Sequence, residues 1–147
     1  MPSTTHASAV LVGARAVLIR GPSGSGKSRL AFDLISAAGG PVRFARLVAD
    51  DRAELETVGG RLLVRPAPAL AGLIEVRGLG IRRLPYEPVA VIGLVVELAA
   101  ADAQRLPGPE QARITLEGIP LARLAVAPGE AAFARVIAAL HLPESAV

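Results

Sequence analysis

The 147-residue chain contains no cysteine, no tryptophan and no asparagine, has a single lysine, and carries aromatic rings at only 3% of its positions. Without cysteine neither a disulfide framework nor a thiolate metal site can be built, which fits a reducing compartment and leads us to expect the cytoplasm. The scarcity of rings removes the platforms on which single-stranded nucleic acids stack. A membrane span is also missing: the most apolar run, VAVIGLVVELAAA, is interrupted by Glu97 and is too short to cross a bilayer. The N-terminus has no basic flank of the kind that opens a signal peptide. The formal charge is +3, but the arginines are dispersed from Arg15 to Arg135 with Arg82 and Arg83 the only adjacent pair. Nucleic acid needs a patterned basic stripe, so neither it nor a membrane is expected as a partner.

What is present is aliphatic. Hydrophobic residues make up 52% of the chain, so the core must be built from Ala, Val, Leu and Ile, as suits an α/β layer structure, and the length suits one domain, residues 1–147. ASAVLVG and ARAVLIRG read as two strands broken at Gly13-Ala14-Arg15, followed by KSRLAFDLISAA as a helix that ends at Gly39-Gly40-Pro41. RLVADD reads as a short strand ending in two carboxylates, and AELETV with RLLVR as a hairpin across Gly59-Gly60. PAPALAG is a proline-broken connection, and GLIEVRGLGI reads as one alternating segment with Glu75 and Arg77 on the same face. PVAVIGLVVELAA reads as a buried strand, ARITLEG with IPLARLAVAP as a hairpin around Gly118, and GEAAFARVIAALHL as a closing amphipathic helix.

Between the second strand and the first helix lies GPSGSGKS, with Gly21, Gly26, Lys27 and Ser28 at the fixed positions of a phosphate-binding loop and Pro22, Ser23, Gly24 and Ser25 between them. Strand, glycine-rich loop and helix N-terminus in that order place unpaired amides and the helix dipole against a phosphate. Lys27 is the one lysine among 16 basic side chains. A compact ammonium reaches between phosphates in a tight loop where a broad guanidinium does not fit. Read by themselves, Asp50 and Asp51 either cap a turn or supply the magnesium ligand and base that phosphoryl transfer needs close to such a loop. Glu75 and Arg77 could equally form an ordinary strand pair. GTPases that read guanine through Asn-Lys-x-Asp are excluded, since asparagine and a second lysine are both lacking. Motor-type ATPases need more chain than this; a small kinase or an ATP-binding switch remains.

Taken together, GPSGSGKS, RLVADDRAEL and LIEVRGLGI resemble the catalytic C-terminal domain of HPr kinase/phosphorylase, which phosphorylates a serine of the phosphocarrier HPr. VADD followed by EVRGLGI is the more diagnostic part, and the resemblance runs from about His6 to the closing helix. It implies a P-loop domain with a mixed sheet like that of phosphoenolpyruvate carboxykinase, ATP and Mg²⁺ as cofactors, and HPr or an HPr-like carrier as partner; larger members form hexamers, which leaves both a homo-oligomer and a single trimmed chain open. It also implies roles. Asp50 takes the proton of the acceptor serine; His6, fifteen positions before Gly21, and Arg105, in AQRLP, belong to the active site. Asp51 and Glu75 stand at the metal with Ser28, and Lys27 holds the β- and γ-phosphates.

Two departures from the longer members stand out. We expect no further domain before His6, as in the short form that resembles alphaproteobacterial proteins, and RRLPYEPVAV leads almost directly into the next strand where longer members have an extended basic loop. The reverse phosphorylase reaction is therefore expected to be slower than forward transfer. A non-catalytic, ATP-binding regulatory module is the rival reading from another class.

The dispersed arginines generate one prediction. Labelled DNA or RNA titrated at physiological ionic strength should show no binding to this chain; tight binding that weakens steeply with added salt would contradict it.

Overall fold

The computed structural model describes residues 2–142. Two long apolar runs open the chain as β1 (Ser3–Val12) and β2 (Arg15–Arg20), paired antiparallel across a turn in which Gly13 holds a left-handed φ of 64°. The glycine-rich loop follows, then helix α1 (Lys27–Ser36), whose stripe Leu30, Ala31 and Leu34 is buried. β3 (Ala45–Ala49) is a short strand that stops just before the aspartate pair. The expected hairpin across Gly59-Gly60 is present as β4 (Arg52–Val58) and β5 (Arg61–Pro66). A single 3₁₀ turn at Pro68–Leu70 breaks the chain before β6 (Leu73–Val76) and β7 (Gly80–Arg83). β8 (Ala90–Glu97), the hairpin β9 (Arg113–Leu116) and β10 (Ile119–Ala125), and α2 (Ala132–His141) complete the described chain.

The segment GLIEVRGLGI is not one alternating strand. It folds back at Arg77-Gly78-Leu79, so that β6 and β7 pair antiparallel with Val76 opposite Gly80 and Glu75 opposite Ile81. Gly78 and Gly80 adopt φ of 87° and 88°, and the Leu79 amide donates to the Val76 carbonyl at 2.9 Å. Glycines two residues apart permit the left-handed turn that alternation alone conceals. Arg77 therefore lies in the turn and does not share a strand face with Glu75.

The eight remaining strands form one mixed α/β sheet. β1 lies between β2 and β3 and is antiparallel to both, while β2 is parallel to β8 and β8 parallel to β10. The C-terminal ends of β2, β3 and β8 thus share one edge. β1 is long enough to serve two neighbourhoods: Ser3–His6 pair with β4, and Ala7–Val12 with β2. β8 does the same, pairing with β5 at Ala90–Val91 and with β2 from Ile92 onward. The pairings β2–β1–β4–β5–β8–β2 therefore close on themselves.

Two cores follow from strand alternation. Ala7, Ala9, Leu18, Ala53, Leu55, Leu62, Val64 and Val95 form one, to which all five strands of the closed circuit contribute. Val10, Val17, Ile19, Leu47, Leu94 and Val96 face the other way and pack against Leu30, Leu34 and Val136 of the two helices. β6 joins this second core through fully buried Ile74. With so few rings in the chain, close packing relies on branched aliphatic side chains, and each truncation leaves a void. Leu18, fully buried in the first core, is the clearest case. Leu18→Ala should lower unfolding stability by about 2–5 kcal/mol with an unchanged denaturant slope, as read by urea denaturation.

Candidate active site

The loop between β2 and α1 is shaped by two glycines in particular. A Cβ on Gly21 would lie 2.6 Å from Ser25 Oγ and 3.0 Å from Leu98 Cβ, so the loop could not close over Leu98 with any other residue there. Gly26 is the N-cap of α1 with a left-handed φ of 100°, which a side chain would strain. Ser25 Oγ is buried and has no hydrogen-bond partner among the described residues. The helix begins with no side-chain cap and no acidic residue in its first turn, leaving its leading amides and positive dipole end uncompensated. Lys27 curls into the loop, its Nζ donating to the carbonyls of Gly21 at 2.9 Å and Pro22 at 3.2 Å. Pro22, Ser23 and Gly24 are exposed along the rim.

Beside this loop β3 delivers Asp50, a carboxylate only 5% exposed. Oδ1 accepts hydrogen bonds at 2.7 Å from both Ser28 Oγ, at the start of α1, and Ser8 Oγ, on β1. Oδ2 accepts the backbone amide of Glu75 at 3.0 Å. A buried carboxylate is tolerated only when donors surround it, and here they come from three separate elements.

The next residue is turned the other way. Asp51 has φ 69°, and the Arg52 amide donates to the Asp50 carbonyl at 2.8 Å, closing a tight three-residue turn of the strained, positive-φ kind. Its carboxylate is exposed while that of Asp50 is buried. The two aspartates thus sit side by side in sequence with opposite environments. The turn is clamped by β1: the Ala7 amide donates to the Asp51 carbonyl at 3.1 Å, and Ser8 Oγ accepts the Asp51 amide at 3.4 Å.

Of the residues expected from sequence, the loop Gly21–Ser28, Asp50 and Asp51 are gathered at one sheet edge. Glu75 reaches this cluster through its main chain, its own carboxylate being exposed. His6 is exposed on β1 opposite Arg52, one residue from the Ala7 clamp. Arg105 is exposed on the connection between β8 and β9, and no hydrogen bond or ion pair among the described residues ties it to the cluster. That connection is fastened instead by Arg123, whose guanidinium grips both oxygens of Asp102 at 2.9 and 3.0 Å. The pairing holds the Asp102 carboxyl below the usual carboxylate range and raises Arg123. Arg20, last residue of β2, pairs with Glu97, last residue of β8, and so locks the two strands that flank the loop.

Sequence reading passed over Ser8, which it counted only as part of an apolar strand. The usable signal was a single hydroxyl inside HASAVLV, on the same strand face as Val10.

The expected metal residues Ser28, Asp51 and Glu75 offer only oxygen donors, the chemistry that suits Mg²⁺. No group of three or more His, Asp or Glu side chains gathers as a ready-made cage among the described residues. That is compatible with an ion that takes few protein ligands and completes its shell with water and phosphate oxygens.

Residues 2–139 match the model of the HPr Serine kinase C-terminal domain. An HPr kinase/phosphorylase of Neisseria meningitidis is 37% identical over 109 residues, covering 69% of this chain and 32% of its own length. One from Exiguobacterium is 48% identical over 66 residues, 44% of this chain and 19% of the relative. The chain thus spans about a third or less of the curated relatives it matches. The solved structure of the Hpr(Ser) kinase/phosphatase from Coxiella burnetii superposes with a TM-score of 0.73 over 94% of this chain and 88% of that one, at 23% identity, a likeness of fold. A glycine-rich loop set against a buried aspartate, and a family match over nearly all the described residues, lead to one assignment: the chain belongs to the HPr Serine kinase C-terminal domain family.

Proposed function

We propose that residues 1–147 act as one catalytic unit, an ATP- and Mg²⁺-dependent protein serine kinase that phosphorylates HPr or an HPr-like carrier and so regulates the phosphotransferase system. The observation that carries this reading is the 2.7 Å hydrogen bond from Ser28 Oγ to Asp50 Oδ1, which joins the phosphate-loop motif to a buried carboxylate at the helix N-terminus. In the same reading the loop is a P-loop and the mixed sheet is of the phosphoenolpyruvate carboxykinase type. The chain works in the cytoplasm, as a homo-oligomer, without nucleic-acid or membrane partners.

The chain's own groups divide the work. Loop amides and Lys27 take the phosphates of ATP, the ammonium exchanging the Gly21 and Pro22 carbonyls for phosphate oxygens. Ser28, Asp51 and Glu75 hold the metal, which when bound neutralises charge on the β- and γ-phosphates. The acceptor serine Oγ forms a bond to the γ-phosphorus as the bond from that phosphorus to the bridging oxygen breaks, and ADP leaves with the bonding electron pair. The serine proton passes to Asp50, since a hydroxyl is a poor nucleophile at neutral pH until a positioned carboxylate accepts its proton. His6 and Arg105, both exposed, act on the docked serine and the transferring phosphate. In the reverse direction an oxygen of inorganic phosphate forms a bond to the phosphoserine phosphorus as the bond from that phosphorus to the serine Oγ breaks; Asp50 gives its proton to the departing serine oxygen, and the phosphoryl group leaves as pyrophosphate.

Two predictions follow from this division of roles. Lys27→Arg keeps the charge but not the shape, and should lower transfer from radiolabelled ATP to HPr by about two orders of magnitude; near-normal turnover would show that Lys27 does not grip phosphate. Asp50→Asn should reduce turnover by roughly 10²–10⁴-fold while ATP and Mg²⁺ still bind. Asp51→Asn should instead recover part of its rate as Mg²⁺ is raised. Rescue of Asp50→Asn alone by the metal would exchange the two roles. Normal transfer by both variants would favour the non-catalytic ATP-binding module.

A further inference from the structure

We infer that Ser8 is a positioning residue for phosphoryl transfer, the buried side chain that fixes the Asp50 carboxylate and the Asp51 turn relative to the loop. The inference rests on the kinase reading above. Ser8 is fully buried on β1, the strand between the one that feeds the glycine-rich loop and the one that ends at Asp50. On the same strand face Val10 and Val12 are apolar and His6 is exposed, so Ser8 supplies the buried hydroxyl of that face next to the cluster.

Two hydroxyls share one oxygen. Ser8 Oγ and Ser28 Oγ both donate to Asp50 Oδ1 at 2.7 Å. The serine that follows the lysine in this loop motif is the one whose hydroxyl goes to magnesium. A hydroxyl that binds the metal through its oxygen can still donate its hydrogen, so Ser8 and Ser28 hold Oδ1 from two sides while Oδ2 keeps the Glu75 amide. Ser8 also accepts the Asp51 amide at 3.4 Å, and so ties down the strained turn that faces Asp50 and Asp51 in different directions. One buried hydroxyl, donating to the first aspartate and accepting from the second, fixes both carboxylates relative to the loop.

Ser8→Ala removes the hydroxyl between Ala7 and Ala9 without adding volume. It should lower kcat about tenfold and leave the KM for ATP within about twofold, because the phosphate loop is untouched. Ser8→Thr keeps the hydroxyl on a strand and should restore most of the rate. Because Ser8 acts through Asp50, adding Ser8→Ala to Asp50→Asn should cause no further loss, the non-additivity expected of residues that act as a unit. A readout independent of turnover is amide hydrogen exchange at Asp51, expected to be about tenfold faster in metal-free Ser8→Ala and near wild type in Ser8→Thr. An unchanged kcat in Ser8→Ala, or a full additional loss in the double variant, would overturn the role of Ser8 while leaving an active wild-type kinase. A folded wild-type chain that transfers no phosphate to any HPr tested would overturn the kinase reading itself, and the positioning role with it.

Discussion

A carboxylate sealed at the end of an apolar strand imposes the arrangement around it. Asp50 is 5% exposed and its oxygens are met by donors from β1, α1 and β6. Each such bond to a charged acceptor contributes about 1.5–3 kcal/mol, and stripping any one away leaves part of a buried charge unanswered. Segments separated by 42, 22 and 25 residues are thereby pinned to one point. The β6–β7 hairpin depends on it most, because it stands apart from the main sheet and enters the body of the molecule chiefly through Ile74 and the neighbouring Glu75 amide.

Topology makes that convergence possible. An antiparallel strand inserted between β2 and β3 brings its early residues beside their late ones, so Ala7 and Ser8 arrive where Ile19, Arg20 and Ala49 end. Had β2 and β3 been direct neighbours, no third strand could have supplied a hydroxyl and an amide to the aspartate turn. The left-handed Asp51 costs on the order of 1–3 kcal/mol, and such strain persists only where surrounding contacts over-determine it. Here the clamp from Ala7 and Ser8 and the Arg52 amide serve that end.

Much of this was legible in the sequence, for identifiable reasons. The glycine-rich loop announces itself because a side chain at Gly21 would crowd Ser25 and Leu98 and one at Gly26 would strain a left-handed backbone, and α1 because its apolar residues recur at helical spacing. RLVADD marked both the strand and its abrupt end. The hairpin within GLIEVRGLGI stayed hidden because alternation of apolar residues is the same on either arm, and only the paired glycines encode the reversal. Ser8 stayed hidden because a hydroxyl in an apolar strand carries no periodic signal, and its partner lies 42 residues away. Arg105 illustrates the opposite difficulty: motif comparison singles it out, while the contacts that fasten its connection run through Asp102 and Arg123.

The closed circuit of β1, β4, β5, β8 and β2 bears on how the molecule meets others of its kind. A strand paired on both sides offers no row of free amides and carbonyls to a passing chain, and among the described residues β3 and β9 are the strands of the main sheet paired to a single neighbouring strand. Both are short, five and four residues. The outer side of β3 is already taken at Leu47, which bridges to Tyr86 and accepts the Glu87 amide at 2.8 Å. β9 exposes Arg113 along its border. A chain so rich in aliphatic strands would otherwise invite runaway strand addition; closing the circuit and keeping its two margins brief and charged or occupied narrows that route of association.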